Sequence, residues 1–397
     1  MPKQSNETKQ QNTETRADTT SKGTAAKECP ASKPCVSQDL AQTNLSPATL
    51  EQAQVSHTIN YAGKEVNIRC QFINNTKPWE FLEVNDPKEL SFGFLSDENN
   101  IFLARKFSPA LRNTAIWQIP LKSLESQSSN KLLSGPPSAG LTSACVEVHH
   151  AQTDLNDKSI RRFPKDALFK QLLQALKDGE VIDPLIFSAL YFFDDLPSQT
   201  KYIQKFTEYS GTLNFSDIQS NASYCKELYS GKFIKLIQSH GKEVVCRTRG
   251  AGAVIIPCVT NEQELILIEQ ERRPLGKIAI EWPAGLVADN HSGETILESA
   301  KKELMEECGY QPDTLQQVLL CPAIGRFSDE LISFVIASNA VKIGIGGGVE
   351  GEHIVTHKIP YNSIDSWLKE QEENGKLIDP KVYAGLFFLR ILGKTTS

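Results

Sequence analysis

The sequence lacks the features that mark secreted, membrane-bound and nucleic-acid-binding proteins. It has no Cys-x-x-Cys pair, and its 9 cysteines are irregularly spaced, so we expect buried free thiols in a reducing compartment. No apolar run reaches membrane length and no apolar signal segment stands at the N-terminus; we therefore expect a soluble, cytoplasmic protein without a membrane partner. The formal net charge is −6 and no basic cluster is interleaved with aromatics, which argues against nucleic acid as a partner.

The chain is long enough for two domains, with 397 residues of which 40% are hydrophobic. Residues 1–57 are the exception, because Gln, Thr, Ser, Lys, Asn and Ala dominate them. Such a segment buries too little apolar surface to offset the entropy lost on ordering. We therefore expect a disordered tail over 1–57.

One phrase occurs twice in the chain. "GEVIDPLIFSALYFF" covers 179–193 and "GKLIDPKVYAGLFFL" covers 375–389. In each copy an Asp stands before Pro, which suits a helix cap followed by Pro at the first helical position. Each phrase therefore predicts a closing amphipathic helix, begun by Asp183 in one copy and by Asp379 in the other.

The match continues towards the N-terminus. Segment 90–120 resembles segment 251–283, and both are typical of a strand, a polar turn, a second strand and a basic stretch that leads to a strand ending in Pro. A second helix, ended by Gly, precedes each closing helix. We therefore predict two copies of one α/β unit, at 58–195 and 210–393, joined by a linker at 196–209.

The second copy carries an acidic helix that the first copy lacks. Segment 294–308 has a helical apolar stripe of Ile296, Leu297, Ala300 and Leu304, and Gly309 stands at its C-cap position. Its carboxylates fall at i, i+3 and i+4 on one face: Glu303, Glu306 and Glu307. Such a cluster can be a solvated surface, but hard oxygen ligands at this spacing suit Mg²⁺, with Mn²⁺ as the alternative.

This segment resembles the Nudix box, G-x5-E-x7-R-E-U-x-E-E-x-G-U, where U is a bulky aliphatic residue. Glu294 matches the first Glu, and the acidic triplet and Gly309 follow at the family spacing. Two departures stand out, because the loop after Gly285 carries three additional residues and Lys302 replaces the Arg. Lys keeps the charge but loses the planar fork of Arg, so we expect weakened rather than lost activity.

The stretches around the box resemble the ADP-ribose pyrophosphatase branch of this family, over nearly all of residues 225–393. The resemblance implies two tandem Nudix domains, each an α/β/α sandwich with a mixed sheet, the first degenerate. It also implies a Mg²⁺-dependent hydrolase that cuts ADP-ribose, or a related nucleoside diphosphate sugar, at its pyrophosphate bond. The alternatives are another Nudix substrate, such as a different sugar nucleotide or a dinucleotide, or a non-catalytic protein that binds ADP-ribose or scaffolds a partner.

The resemblance also assigns roles to residues of the second copy. Glu303 and Glu307 become metal ligands together with the Ala284 carbonyl, and Glu306 becomes a further ligand or orients water. The general base lies in the glycine-rich loop that closes over substrate, where Glu352 is favoured over Glu350 because it stands nearest the following strand. Substrate contacts fall on Arg272, Glu281, Ser328, Asp329 and Glu330, against the alternatives of a surface ion pair for Arg272 and a polar turn for the last three.

The first copy has Ser and Asn where the acidic cluster belongs, and Gln118 stands where the second has Glu281. We therefore expect it to bind no metal. Family members that bind adenine stack the base between aromatics from two subunits. Phe233 matches the near aromatic and Trp79 resembles the donated one, so an intrachain pseudo-dimer is the hypothesis; the alternative for Trp79 is a core position.

Overall fold

The computed structural model describes residues 55–393, except 74–78, 87–89, 112–113, 122–128, 139–140, 152–156, 194–195, 197–199, 219–224, 251, 288–292 and 350–351. Residues 1–54 of the predicted tail therefore lie outside the described residues. The first strand begins at Val55, within the last three residues of the predicted tail.

The first half of the described chain consists mostly of strands. These are β1 (Val55–Ala62), β2 (Val66–Ile73), β3 (Trp79–Val84), β4 (Ser91–Ser96), β5 (Asn100–Ser108), β6 (Thr114–Gln118), β7 (Ser129–Gly135), β8 (Val146–Ala151), β9 (Ile160–Pro164) and β10 (Val181–Ile182). The helices are α1 (Leu168–Lys177) and α2 (Leu185–Leu190), and two more lead into the second half, α3 (Thr200–Ser210) and α4 (Phe215–Ile218).

The second half begins with β11 (Lys226–Ser230), β12 (Ile234–Ser239), β13 (Lys242–Arg247), β14 (Gly252–Ile255), β15 (Cys258–Thr260), β16 (Glu264–Arg272), β17 (Lys277–Glu281) and β18 (Ala284–Val287). It continues with α5 (Ile296–Glu303), β19 (Tyr310–Gln311), β20 (Thr314–Pro322), β21 (Leu331–Lys342), β22 (Ile354–Pro360), α6 (Ile364–Glu373), β23 (Leu377–Ile378) and α7 (Pro380–Ile391). The architecture is α/β with mixed sheets.

Strand pairing in the two halves follows the same plan. β4 runs parallel to β8 and β14 runs parallel to β21. The central strand β5 pairs antiparallel with β6 and β9, as β16 does with β17 and β22. The short strands β10 and β23 pair parallel with β6 and β17. Each half also begins with its own three-stranded antiparallel sheet, β1-β2-β3 or β11-β12-β13.

The shared glycine of the repeated phrase ends a helix in both halves. Helix α1 buries Leu168, Leu172 and Leu176 on one face, so its pattern suits packing against a sheet. Gly179 after α1 has φ of 76° and Gly375 after α6 has φ of 81°. Both lie in the left-handed region that glycine adopts without a side-chain penalty, which stops the helix and turns the chain into the next strand.

The closing helices are buried rather than amphipathic, contrary to the expectation from sequence. All residues of α2 are buried, and in α7 every residue from Pro380 to Leu389 is buried. The two helices pack against each other: the rings of Phe187 and Phe388 lie 4.8 Å apart, and Ser188 Oγ donates to the Pro380 carbonyl at 2.7 Å. A helix enclosed by its counterpart and by sheets has no polar face to show.

One hydrophobic core runs through both halves and includes residues such as Leu82, Phe187, Phe334 and Phe387. The described residues accordingly belong to a single compact unit, Ala53–Ser397. The segment predicted as a linker at 196–209 contains most of α3, whose Phe206 is fully buried. This segment is therefore part of the packed structure rather than a tether.

The cysteines of the described part are free thiols, as predicted. Most are buried: Cys70, Cys246, Cys258, Cys308 and Cys321. Separately, none of the helices within the described ranges combines the length and the hydropathy that a membrane span requires.

Candidate active site

The acidic segment forms a helix with a widened last turn. Helix α5 begins at Ile296 rather than at residue 294, because Thr295 caps it: the Thr295 hydroxyl accepts the Glu298 amide at 3.2 Å and the Glu298 carboxylate accepts the Thr295 amide at 2.8 Å. Residues Leu304–Cys308 then form a π-turn that Gly309 ends at φ 69°. Such turns occur often at functional sites.

The apolar stripe of this helix holds it against the core, with one difference from the prediction. Ile296, Ala300 and Leu304 are buried, whereas Leu297 is 41% exposed. The acidic residues therefore lie on a side that faces the neighbouring strand β18 and the loop that leads into it.

Glu303 and Glu307 converge on the start of β18. Glu307 is 6% exposed, and its carboxylate accepts the Ala284 amide at 2.9 Å. The Glu303 carboxyl group covers Gly285 so closely that a Cβ there would come within 2.0 Å of Glu303 Cδ. Any side chain at this position would displace the Glu303 carboxyl group, so glycine is what allows Glu303 to lie directly over β18.

The surroundings of Glu303 and Glu307 favour either protonation of the two carboxylates or binding of a cation between them. Burial, then the charge of Glu306, raises the pKa of Glu303 to about 7. Burial also raises the pKa of Glu307 well above its ordinary value, against the lowering effect of the Ala284 amide. Carboxylates confined in this way are stabilised in their charged form when a metal ion compensates them.

Glu306 lies nearer to solvent than its two neighbours. Its side chain is 34% exposed, and Lys302 Nζ stands 4.0 Å from Glu306 Oε1. Lys302, the residue that departs from the family motif, therefore contacts only the outermost of the three carboxylates.

The donor set fits Mg²⁺, because carboxylate oxygens are its preferred protein ligands. Glu303 and Glu307 are the side chains that would hold it, and the Ala284 carbonyl stays a predicted ligand. In the described part of the chain, no three His, Cys, Asp or Glu side chains are already arranged as a metal cluster. The structure therefore shows two converging acids rather than a completed set.

The glycine-rich loop is attached to the end of the acidic helix. The Gly347 amide donates to the Glu307 carbonyl at 2.8 Å, and the Gly348 amide donates to the Glu306 carbonyl at 3.0 Å. These two hydrogen bonds tie the first part of the loop to the acidic helix, and closure of the loop over substrate stays a prediction.

Of the two candidate bases in this loop, Glu352 can be placed and Glu350 lies outside the described residues. Glu352 is exposed, and its carboxylate accepts the Val349 amide at 3.2 Å. Its negative charge contributes to the raised pKa of both Glu303 and Glu307. Glu352 is therefore electrostatically coupled to the acidic pair.

Arg272 and Glu281 contact each other rather than open solvent. Arg272 donates from Nε and Nη2 to the two carboxylate oxygens of Glu281, at 2.8 and 2.5 Å. Burial alone would raise the pKa of Glu281, but the Arg272 guanidinium holds it below its ordinary value. The bidentate pair joins β16 to β17, so substrate contact by either residue stays a prediction.

The predicted substrate residues after β20 lie largely inside the protein. Ser328 is fully buried, and its hydroxyl accepts the Glu330 amide at 3.1 Å. Glu330 forms an ion pair with Arg247 and accepts the Ser138 hydroxyl at 3.2 Å, which ties it to the first half. Asp329, the least buried of the three, donates its amide to the Val245 carbonyl at 3.3 Å.

The two predicted aromatics meet across the halves of the chain. The Trp79 and Phe233 rings are stacked, with centroids 6.4 Å apart and planes 21° from parallel. Both are partly open to solvent, at 36% and 40% exposure, which excludes a core position for Trp79. Arg273, next to Arg272, places its guanidinium carbon 5.7 Å from the Trp79 ring.

Glu80 holds this aromatic pair together, and sequence reasoning missed it. Its buried carboxylate accepts the Phe233 amide at 2.9 Å and the Tyr229 hydroxyl at 2.9 Å. A residue next to Trp79 in β3 thus fixes the β11–β12 turn that carries Phe233. The missed signal is the repeat "YAGKE" at 61–65 and "YSGKF" at 229–233.

The opposite side of the molecule has a counterpart in which the aromatics are replaced. There the carboxylate of Glu243 accepts the amides of Lys64, Glu65 and Val66 at 2.8 to 3.2 Å. Glu243 is the second residue of β13, just as Glu80 is the second residue of β3. An ion pair between Lys242 and Glu65 stands where Trp79 and Phe233 would be. The supporting carboxylate is common to both sides, and the stacking rings occur on one.

The comparisons with known proteins give the family of the chain. No protein-family model matches the chain. The chain is 30% identical to the GDP-mannose pyrophosphatase of Enterobacter sp. (strain 638) over 182 residues. The aligned segment covers 44% of this chain and 87% of that protein. It is 27% identical over 176 residues to the methanol dehydrogenase activator of Bacillus methanolicus, covering 42% of this chain and 90% of that protein.

A third relative is the ADP-ribose pyrophosphatase of Bacillus subtilis (strain 168), 30% identical over 121 residues, or 28% of this chain and 62% of that protein. The chain belongs to the Nudix family, in the branch of the ADP-ribose and GDP-mannose pyrophosphatases.

Proposed function

We propose that the protein hydrolyses the pyrophosphate bond of ADP-ribose, giving AMP and ribose 5-phosphate, or the same bond of a related nucleoside diphosphate sugar. The observation that carries the proposal is the convergence of Glu303 and Glu307 on Ala284 and Gly285 in a chain whose relatives include pyrophosphatases of this kind. The second half, 210–393, is the catalytic part.

The acidic pair is proposed to hold Mg²⁺, which when bound neutralises the diphosphate and activates water. The pair supplies two negative charges in a site too buried to keep them without a cation. Glu306 orients water or adds a ligand from the more solvated side. The carboxylate of Glu352 accepts the proton of the attacking water, and its Oε2, now held by the Val349 amide, is the atom that would receive it.

The first half is proposed to act as a pseudo-subunit that lends Trp79 to the substrate site. A base stacked between two rings needs about 7 Å, twice the optimal carbon separation of about 3.5 Å. The Trp79 and Phe233 centroids are 6.4 Å apart, so a small opening of the slot admits adenine. Glu80 keeps the slot aligned because it belongs to one half and binds the other.

A second candidate function is non-catalytic binding of ADP-ribose or of a protein partner. The relative named as a methanol dehydrogenase activator motivates it. Lys302 and the three additional loop residues before Glu294 also favour it, because they alter the motif that positions the acidic pair. The three clustered carboxylates favour the enzyme, because a scaffold has no need for three like charges on one turn, one of them buried.

The deciding experiment is an assay of the purified full chain with Mg²⁺ against ADP-ribose, GDP-mannose, other nucleoside diphosphate sugars and dinucleotides. We expect turnover of ADP-ribose above the rest and its loss in Glu307→Gln. A matched control is Glu298→Gln, which changes a carboxylate on the same helix outside the acidic pair. No turnover of any compound, or equal turnover by Glu307→Gln, would refute the enzyme and favour the binding protein.

A further inference from the structure

A cavity of about 340 Å³ lies where the first half meets the second. Its lining combines the end of β5, the loop 323–326 that follows β20, and the Lys242–Glu65 ion pair. The volume is within the range of small-molecule sites, which starts near 300 Å³. It is separate from the acidic helix, because none of Glu303, Glu306 and Glu307 lines it.

The cavity occupies the position on the first half that corresponds to the proposed substrate site on the second. Ser108 ends β5 as Arg272 ends β16, and Gln118 ends β6 as Glu281 ends β17. Both Ser108 and Gln118 line the cavity. The neutral residues Ser108 and Gln118 therefore replace the ion pair of Arg272 and Glu281. The volume that the Arg272 side chain fills in the second half stays open in the first.

The cavity also contains a carboxylate that lacks the cation of its counterpart. In the second half, Asp379 Oδ2 accepts Lys381 Nζ at 2.6 Å. Leu185 stands at the place of Lys381, so the corresponding Asp183 accepts the Leu185 amide at 2.9 Å instead, and it forms no ion pair with any residue that the structure describes. Asp183 lines the cavity, where it presents an acceptor to a ligand that carries an N–H or O–H donor.

The rest of the lining is apolar with basic groups beside it. Phe107 is 57% exposed and Leu121 is 39% exposed, and both lie on the cavity together with Ile324. Lys106 and Arg326 also line it. Exposed apolar side chains next to cationic ones suit a ligand in which a planar ring system is joined to an anionic group.

We propose that this cavity is a second ligand site that binds a nucleoside monophosphate without hydrolysing it. The base packs on Phe107, Leu121 and Ile324 and donates a hydrogen bond to Asp183, and the phosphate pairs with Lys106 and Arg326. Hydrolysis is not expected there, because none of Glu303, Glu306 and Glu307 lines the cavity. The site itself follows from the cavity and its lining, whereas the choice of a nucleotide rests on the proposed function.

The test is calorimetric titration of AMP into the full chain without divalent metal, in a Trp79→Ala background that removes the aromatic slot. We expect one equivalent of AMP to bind. Leu121→Trp, which blocks the mouth, and Arg326→Glu, which reverses a charge, should each weaken binding at least about tenfold. The matched controls are Phe192→Trp, with 38% exposure away from the cavity, and Arg162→Glu on β9; both should bind AMP normally.

Absence of AMP binding, or equal weakening by the controls, would overturn the inference. If inorganic phosphate binds as tightly as AMP, the cavity is only an anion site, and the proposal that it recognises a nucleotide is refuted. Failure of the second site can be told apart from failure of the proposed hydrolysis. Hydrolysis of ADP-ribose with no binding of AMP refutes only the second site, whereas binding of AMP in a protein that turns over no substrate refutes only the proposed hydrolysis.

Discussion

Trp79 and Phe233 come from different halves of the sequence and face each other in space, and this pairing was expected only from the family resemblance. The local sequence around Trp79, "KPWEFLEV", is equally compatible with a core position. Its 36% exposure and its alignment with Phe233 come from Glu80, which spans the two halves. At the scale of single residues, the proposed substrate slot depends on one carboxylate that no motif indicates.

Replacement of Trp79 by Ala should raise the KM for ADP-ribose about 5- to 150-fold, because stacking of a base on an aromatic ring is worth about 1–3 kcal/mol. The fold should survive, since Trp79 is partly exposed. Steady-state kinetics and a melting curve measure the two effects. Lys242→Ala is the matched control: Lys242 opens β13 as Trp79 opens β3, and its loss should leave KM unchanged. An unchanged KM in Trp79→Ala would contradict the slot.

Asp183 should make the stability of the protein depend on pH. Burial raises its pKa from 3.8 to about 7, so the folded state retains a proton that the unfolded state has released in this window. Stability therefore falls as pH rises from about 4 to about 7. Asp183→Asn keeps the acceptor for the Leu185 amide and removes the titration, so its melting temperature should fall less over this range. Calorimetry at several pH values measures it; parallel curves for the two proteins would refute the assignment.

At the scale of elements, the acidic helix shows how local and tertiary causes combine. Its capping box and its C-terminal Gly309 are local and readable from sequence. The π-turn between them, and the convergence of Glu303 and Glu307 over Gly285, depend on packing against β18 and on the loop 343–348 bonded to its end. The sequence therefore predicted the helix and its acids, but not that Glu307 would be buried and Glu303 would lie over Gly285.

Mg²⁺ should raise the melting temperature of the protein, since an ion bound only by the folded state stabilises it by mass action. The effect amounts to about 2.7 kcal/mol at about 100 times Kd. Glu307→Gln should abolish the dependence on Mg²⁺, and Glu298→Gln, on the same helix, should retain it. Thermal unfolding with and without Mg²⁺ makes the comparison. A shift of equal size in both variants would place the ion elsewhere.

At the scale of the whole molecule, the two halves share one core, and this decides how the chain can be divided. The repeat predicted two units, and the strands of the two halves are indeed paired in the same order. The prediction of separate domains joined by a linker did not anticipate that α2 and α7 would pack on each other or that Phe206 of α3 would pack on α1 and α2. Burial of these faces needs both halves present at once.

A truncated protein of residues 210–393 should therefore fail to fold by itself. It keeps the whole acidic helix, but Phe387 and Phe388 lose their packing against Phe187, and exposure of such side chains costs several kcal/mol against a total stability of about 5–15 kcal/mol. Circular dichroism and cooperative thermal unfolding test this. Deletion of residues 1–54, outside the described structure, is the control and should leave both intact. A cooperatively folding 210–393 fragment would show that the halves are independent.

The sequence by itself determined the family, the position of the acidic helix, the duplication and the loss of acids from the first copy. These depend on spacing along the chain, and helical periodicity translates spacing into faces. Only the tertiary structure decided that Arg272 binds Glu281, that Glu80 binds the turn that carries Phe233, and that the first half has a cavity at the position of the site proposed for the second half. These features join residues far apart in sequence, and their partners become known only when both halves close around one core.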